Sequence, residues 1–128
     1  MDSEAEIRKL LARRMQSLEQ GNAAEANAVL DSQLVAFEVA GPLQITGLEA
    51  TDSRATQMWL DSFDEGPFVT MDELAVFVDG DTAFCHSLNN LRGLRNGQKL
   101  DLTLRSTLGL RKNARTWKII HSHTSLPR

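Results

Sequence analysis

Between Lys99 and Arg111 apolar and polar residues alternate. Leu102, Leu104, Leu108 and Leu110 fall on every second position, with Ser106 as the one polar member of the series, and Thr103, Arg105 and Thr107 lie between them. A period of two places successive side chains on opposite faces of a strand. The segment therefore reads as a strand with one greasy face and one polar face, as an antiparallel sheet packed on one side requires. Val69 to Val78, Ala83 to Leu91 and Trp117 to Thr124 read as strands too, divided by Asp79-Gly80-Asp81, Arg95-Asn96-Gly97 and Asn113-Ala114-Arg115. Asn96-Gly97 is the clearest hairpin signal, because both central residues of a type I′ turn need positive φ and these two tolerate it. Four consecutive antiparallel strands are expected.

The first half reads as helical. Ile7, Leu10, Leu11, Met15 and Leu18 recur at helical spacing among Arg8, Lys9, Arg13, Arg14 and Glu19, and Gly21-Asn22 ends that helix. Ala23 to Leu30 is rich in helix formers and predicts a short second helix ending near Asp31-Ser32. Leu34 to Ala40 suits a short strand that Gly41-Pro42 breaks, and Ala55, Met58, Trp59 and Phe63 mark a third helix from about Thr51 to Phe63. The expected order is helix, helix, short strand, helix, then a four-strand meander.

With 128 residues the chain has room for one core of ordinary size, so a single domain over 1–128 is expected. A hydrophobic share of 41% against 24% charged residues is that of an ordered chain. The net charge of -3 supplies no field for nucleic acid or an anionic membrane, and neither is expected as a partner. The acidic start Asp2-Ser3-Glu4-Ala5-Glu6 lacks the basic and apolar regions of a signal peptide, which predicts a cytoplasmic location. Cys85 is the only cysteine, so an internal disulfide is impossible and the residue reads as a small buried hydrophobe.

Register turns the alternation into a candidate site. A two-residue turn at Asn96-Gly97 pairs Arg95 with Gln98, His86 with Thr107, Leu88 with Arg105 and Asn90 with Thr103. A three-residue loop after Lys112 would pair it with Thr116 and set Thr107 opposite His121 and Arg105 opposite His123. On that register His86, Asn90, Arg105, Thr107, His121 and His123 share one face, with Trp117 and Ile119 beside the histidines. A mixed polar and apolar surface of this kind suggests a ligand pocket.

In that pocket His86 would contact ligand or act as a general acid or base. Arg105 would bind a carboxylate or enolate oxygen, or pair with Glu38 or Asp101. Trp59 would roof the pocket, pack the core, or both. His121, His123 and His86 have no carboxylate pattern to complete a metal site, so neither a metal nor a cofactor is expected. The leucine series is also more apolar surface than three helices would cover, which predicts a homodimer.

The segments Ala83-Phe84-Cys85-His86-Ser87-Leu88-Asn89, Arg105-Ser106-Thr107-Leu108-Gly109-Leu110-Arg111-Lys112 and Trp117-Lys118-Ile119-Ile120-His121-Ser122-His123-Thr124-Ser125-Leu126-Pro127 resemble the SnoaL-like, ketosteroid-isomerase-like branch of the nuclear transport factor 2 superfamily. The ending Trp-x-x-x-His-x-His-x-Ser is also similar to the close of the calcium/calmodulin-dependent protein kinase II association domain. The resemblance implies an α+β, cystatin-like cone: a curved antiparallel sheet wrapped around three N-terminal helices, with a pocket inside. It implies a small apolar or anionic ligand and, in some members, isomerase or cyclase chemistry by proton transfer. The base position of ketosteroid isomerase falls near Phe37-Glu38, making Glu38 the carboxylate candidate, while its tyrosine donor has no counterpart because the chain contains no tyrosine. The same fold also hosts noncatalytic binding and dimerisation modules.

Overall fold

The computed structural model of the protein describes residues 2–127. Helix α1 (Ser3–Glu19) starts at Asp2, whose carboxylate accepts from the Glu4 backbone N–H at 3.1 Å, and its stripe buries Ile7, Leu11 and Leu18. Gly21, at φ 74°, turns the chain into α2 (Ala23–Asn27), which is capped by Asn22. This second helix is shorter than its composition predicts. Leu30 is already extended and paired with Ile119, so sheet pairing overrides the helix propensity of the alanines.

Strand β1 (Leu30–Phe37) is followed by β2 (Ile45–Thr46), and the expected third helix divides into α3 (Gly47–Thr51) and α4 (Ser53–Asp61). The break lies at Asp52, whose backbone is extended (φ -63°, ψ 109°) and whose carboxylate accepts from the Arg54 N–H at 2.9 Å. An aspartate that caps a new helix cannot also continue the previous one. The four expected strands follow as β3 (Glu65–Asp79), β4 (Thr82–Arg95), β5 (Gln98–Asn113) and β6 (Thr116–Ser125).

They form one curved, unclosed sheet in the order β2-β1-β6-β5-β4-β3. It is mixed rather than purely antiparallel, because β1 runs parallel to β6. That contact covers the β6 edge, which the meander alone would leave with unpaired backbone groups.

All four pairings expected for the Asn96-Gly97 hairpin are present: Arg95 with Gln98, Asn90 with Thr103, Leu88 with Arg105 and His86 with Thr107. The β5–β6 hairpin differs. Its turn has two residues, Ala114 and Arg115 at φ 50° and 70°, and joins Asn113 to Thr116. A bulge at Ile120 then shifts the register again, between Leu110–Ile119 and Gly109–His121. Two shifts of one residue restore the parity. Thr107 therefore faces His123 and Arg105 faces Ser125, and the histidines keep the expected face with different partners. Trp117 and Ile119, upstream of the bulge, are buried on the opposite face and do not accompany the histidines as expected.

The main core joins Ile7 and Leu11 of α1 to Leu34, Cys85, Leu108, Leu110, Trp117 and Ile119 of the sheet. Each fully buried large side chain in it contributes roughly 1.5–3 kcal/mol. A second cluster, Leu18, Ala23, Ala26 and Leu60, with Met15 and Trp59 against it, locks α1, α2 and α4 together. The greasy face of β5 thus meets the helices, and its surplus for a dimer interface shrinks to the half-buried Leu102 and Leu104.

Candidate functional site inside the cone

Where the helices cover the sheet incompletely, a cavity of about 200 Å³ remains. Its apolar wall includes Leu30, Leu34, Met71, Leu108 and Ile119. Into it the sheet presents Asn89 from β4, Ser106 from β5, and Ser122 and Thr124 from β6. Ser106 lies opposite Thr124, and Leu108 opposite Ser122, so these hydroxyls form one polar strip on the otherwise greasy face. Opposite them stand Arg14 of α1, Asn27 of α2 and Glu38, which continues the inward positions Leu34 and Ala36 just past β1.

Several donors and acceptors here lack protein partners. Asn27 is buried; its amide NH2 donates to Thr56 Oγ1 at 2.9 Å and to the Thr51 carbonyl at 3.4 Å, and its Oδ1 has no donor among the described residues. An unpaired buried acceptor of this kind costs roughly 1–3 kcal/mol. Asn89 accepts from Ser87 Oγ at 2.8 Å through Oδ1, and its NH2 makes no hydrogen bond among the described residues. Arg14 donates from Nε to the Ala26 carbonyl at 3.2 Å, and its outer guanidinium nitrogens have no protein partner among the described residues. Burial lowers the Arg14 pKa from its ordinary value, and the charge of Glu38 works in the other direction. The guanidinium stays charged all the same. Among the described residues no ion pair within 4.0 Å joins it to Glu38. The cavity therefore holds a partly desolvated cation, a carboxylate at some remove from it, and amide and hydroxyl groups able to form hydrogen bonds.

Of the residues expected from sequence, Glu38 lines this cavity and the rest do not. His86, Asn90, Arg105, Thr107, His121 and His123 do share a face, but it is the outer one, because the apolar face is the one the helices cover. There Asn90 donates to Asp101 Oδ1 at 2.9 Å, and Arg105 donates to the Leu126 carbonyl at 3.2 Å instead of pairing with Glu38 or Asp101. His121 Nδ1 donates to the Val35 carbonyl at 2.8 Å, and Phe37 lies edge-on to His121 and His123. His86 lies beside Phe77, which stacks on Phe84 with ring centroids 4.8 Å apart. Trp59 packs edge-on to Phe63 in the second core cluster, not over the cavity. Among the described residues no group of three or more His, Cys, Asp or Glu side chains could hold a metal ion.

Two signals for the interior residues were present in the sequence. Ser106 interrupts an apolar series, and Arg14 falls seven positions after Ile7 and three after Leu11, on the stripe that packs inward. Asn27, Ser122 and Thr124 carry no comparable mark, since their inward placement depends on where α2 ends and on the Ile120 bulge.

Solved structures share this architecture. A nuclear transport factor 2-like protein of unknown function from Pseudomonas putida is 28% identical, over 98% of this chain and 87% of its own, with a TM-score of 0.85. A proposed calcium/calmodulin-dependent protein kinase II association domain from Xanthomonas campestris aligns over 99% of this chain and 89% of its own, at 19% identity and a TM-score of 0.80. A proposed ketosteroid isomerase from Shewanella frigidimarina covers 91% of this chain and 92% of its own, at 23% identity and a TM-score of 0.73. The sequence matches none of the curated proteins. The SnoaL-like domain family matches it over residues 7–128, the span that supplies both walls of the cavity, and the chain belongs to that family.

Proposed function

We propose that the protein binds a small, partly apolar anion inside the cone, with Arg14 as counter-charge and Asn27 and Asn89 fixing its orientation. One observation carries this reading: the half-buried Arg14 guanidinium lines the same partly open cavity as Asn27, whose amide oxygen has no donor among the described residues. A buried cation is costly unless it is paired, and a ligand carboxylate or enolate would pair it. At about 200 Å³ the space lies below the ~300–1,000 Å³ usual for drug-sized ligands, so a short-chain carboxylate or keto acid fits better than a steroid. Calorimetric titration with a panel of such acids tests the proposal. Arg14→Met should weaken the best ligand by roughly tenfold or more, the worth of a hydrogen bond to a charged group. Equal affinity in wild type and Arg14→Met would reject it.

Glu38 favours a second, catalytic reading. It is the carboxylate on the cavity wall, and the Arg14 charge nearby would stabilise an enolate formed by proton removal. His86, on the outer face, has no access to such a reaction. Deuterium exchange at the carbon next to a bound ketone, followed by NMR, should occur in wild type and cease in Glu38→Gln while binding persists. A wild type that binds but exchanges nothing is a binding module.

We also infer self-association through the outer face rather than through the leucines. Phe77, Phe84 and Leu88 are exposed there, in line with Thr107, Arg105 and the histidines. Exposed aromatic residues grouped on one sheet face are the composition of an interface.

A further inference from the structure

A second concavity lies on the other side of α1, outside the cone. It measures about 440 Å³ and runs between α1, the end of α2 with Ala28 and Val29 beyond it, and the start of β6. Leu10, Val29 and Trp117 contribute apolar surface to it, and Lys9, Arg13 and Lys118 supply cations. Arg14 forms part of both walls, so this helix position separates the groove from the interior cavity.

Its charge is unbalanced. Lys9, Arg13, Arg14 and Lys118 face two acids, Glu6 and Glu25. Glu6 pairs with Lys112 at 4.0 Å, and Glu25 pairs with Arg13 at 3.5 Å and accepts from Asn22 Nδ2 at 3.2 Å, so the cations left without a carboxylate partner among the described residues are Lys9, Arg14 and Lys118. Lys9 has no partner among the described residues, and Lys118 donates to the neutral Ala28 carbonyl. Trp117 is 3% exposed, so it meets the groove only at its margin, and its indole N–H, without an acceptor among the described residues, points into the core. Unlike the interior cavity, this volume falls within the ~300–1,000 Å³ range of ordinary ligand sites.

We propose that this groove is a second binding site, for an amphipathic carboxylate with a medium-length acyl chain. The chain lies along Leu10, Val29 and Trp117, and the carboxylate meets Lys9 with Arg13 or Lys118 beside it. Apolar contact area supplies affinity and the cations select the sign of the head group.

Trp117 is a built-in reporter once the only other indole is removed, so the test uses the Trp59→Phe protein titrated with decanoate below its micelle concentration. A saturable change in fluorescence is expected. Decyltrimethylammonium, with the same chain and opposite charge, should produce none at equal concentration. Lys9→Gln combined with Arg13→Gln, two exposed positions on α1, should weaken decanoate at least about fivefold. Ser106→Leu, which fills the interior cavity, should leave decanoate binding unchanged. Loss of decanoate binding in Ser106→Leu with a normal circular dichroism spectrum would overturn the proposal, because the ligand would then sit inside the cone. Equal binding of the cationic detergent, or no effect of the double glutamine variant, would overturn it as well. The interior reading is independent, since it fails on Arg14→Met with short acids and this one fails on Lys9 and Arg13 with long ones.

Discussion

Arg14 occupies a position that packing alone would give to an apolar residue. Its position belongs to the apolar stripe of α1, and a methionine there would satisfy the helix better. Replacing a buried charge by an apolar side chain of similar length is often neutral or stabilising. Arg14→Met should therefore lose ligand affinity while its urea midpoint stays level or rises. A midpoint that falls would make Arg14 a structural residue held by its Ala26 bond.

Cys85 presents the opposite case. Burial against the core pushes its thiol up to about 11, with the Leu108 backbone and Arg8 acting weakly the other way. The folded protein favours the neutral thiol, so this contribution to stability is present below pH 9.0, the ordinary value, and is lost as the pH rises towards about 11. Cys85→Ala should flatten the alkaline part of the stability curve, measured by urea unfolding between pH 8 and 11. Alkylation of native Cys85 by iodoacetamide at neutral pH should also be slow compared with the unfolded chain.

Among the elements, the two hairpins differ in how plainly their turns are written. Asn96-Gly97 has the residues a type I′ turn demands, and every pairing beyond it could be counted from the sequence. Ala114-Arg115 adopts positive φ at both positions without either preferred residue, so the same turn left no trace and invited a longer loop. Left-handed backbone costs an ordinary residue roughly 1–2 kcal/mol. Replacing Ala114-Arg115 by Asn-Gly should raise stability by about 1–2 kcal/mol, read as a higher urea midpoint; a decrease would show that the turn is of another type. At Gly93 of β4 the constraint is space. An added Cβ would lie 2.8 Å from the Glu65 carbonyl and 2.9 Å from the Phe63 ring, so Gly93→Ala should cost about 1–3 kcal/mol through displacement of β3.

At the scale of the whole molecule, assembly turns on the outer face of the sheet. Phe77 and Phe84 are about half exposed, at 49% and 50%, and their rings stack on each other. Sedimentation of the wild type should show a dimer at micromolar concentration. Phe84→Glu, which places a charge in the middle of that patch, should shift it to monomer with an unchanged circular dichroism spectrum. A wild-type monomer, or a dimer indifferent to Phe84→Glu, would refute sheet-face association.

The amino-acid sequence by itself determined the four long strands, the first hairpin's register and the separation of a greasy from a polar face, because these follow from a period of two and from local turn chemistry. The resemblance of the three quoted segments also pointed to the family. Which face holds a cavity was decided only in three dimensions. The polar set around His86 and Arg105 looked like a pocket wall, yet helices pack where apolar area is buried, and the cavity formed on the leucine face where their cover is incomplete. Its polar strip then depended on Ser106 and on a bulge at Ile120 that carries Ser122 and Thr124 inward. Arg14 and Asn27 meet that strip from helices about 80 to 110 residues earlier in the chain, a juxtaposition that neither periodicity nor spacing encodes.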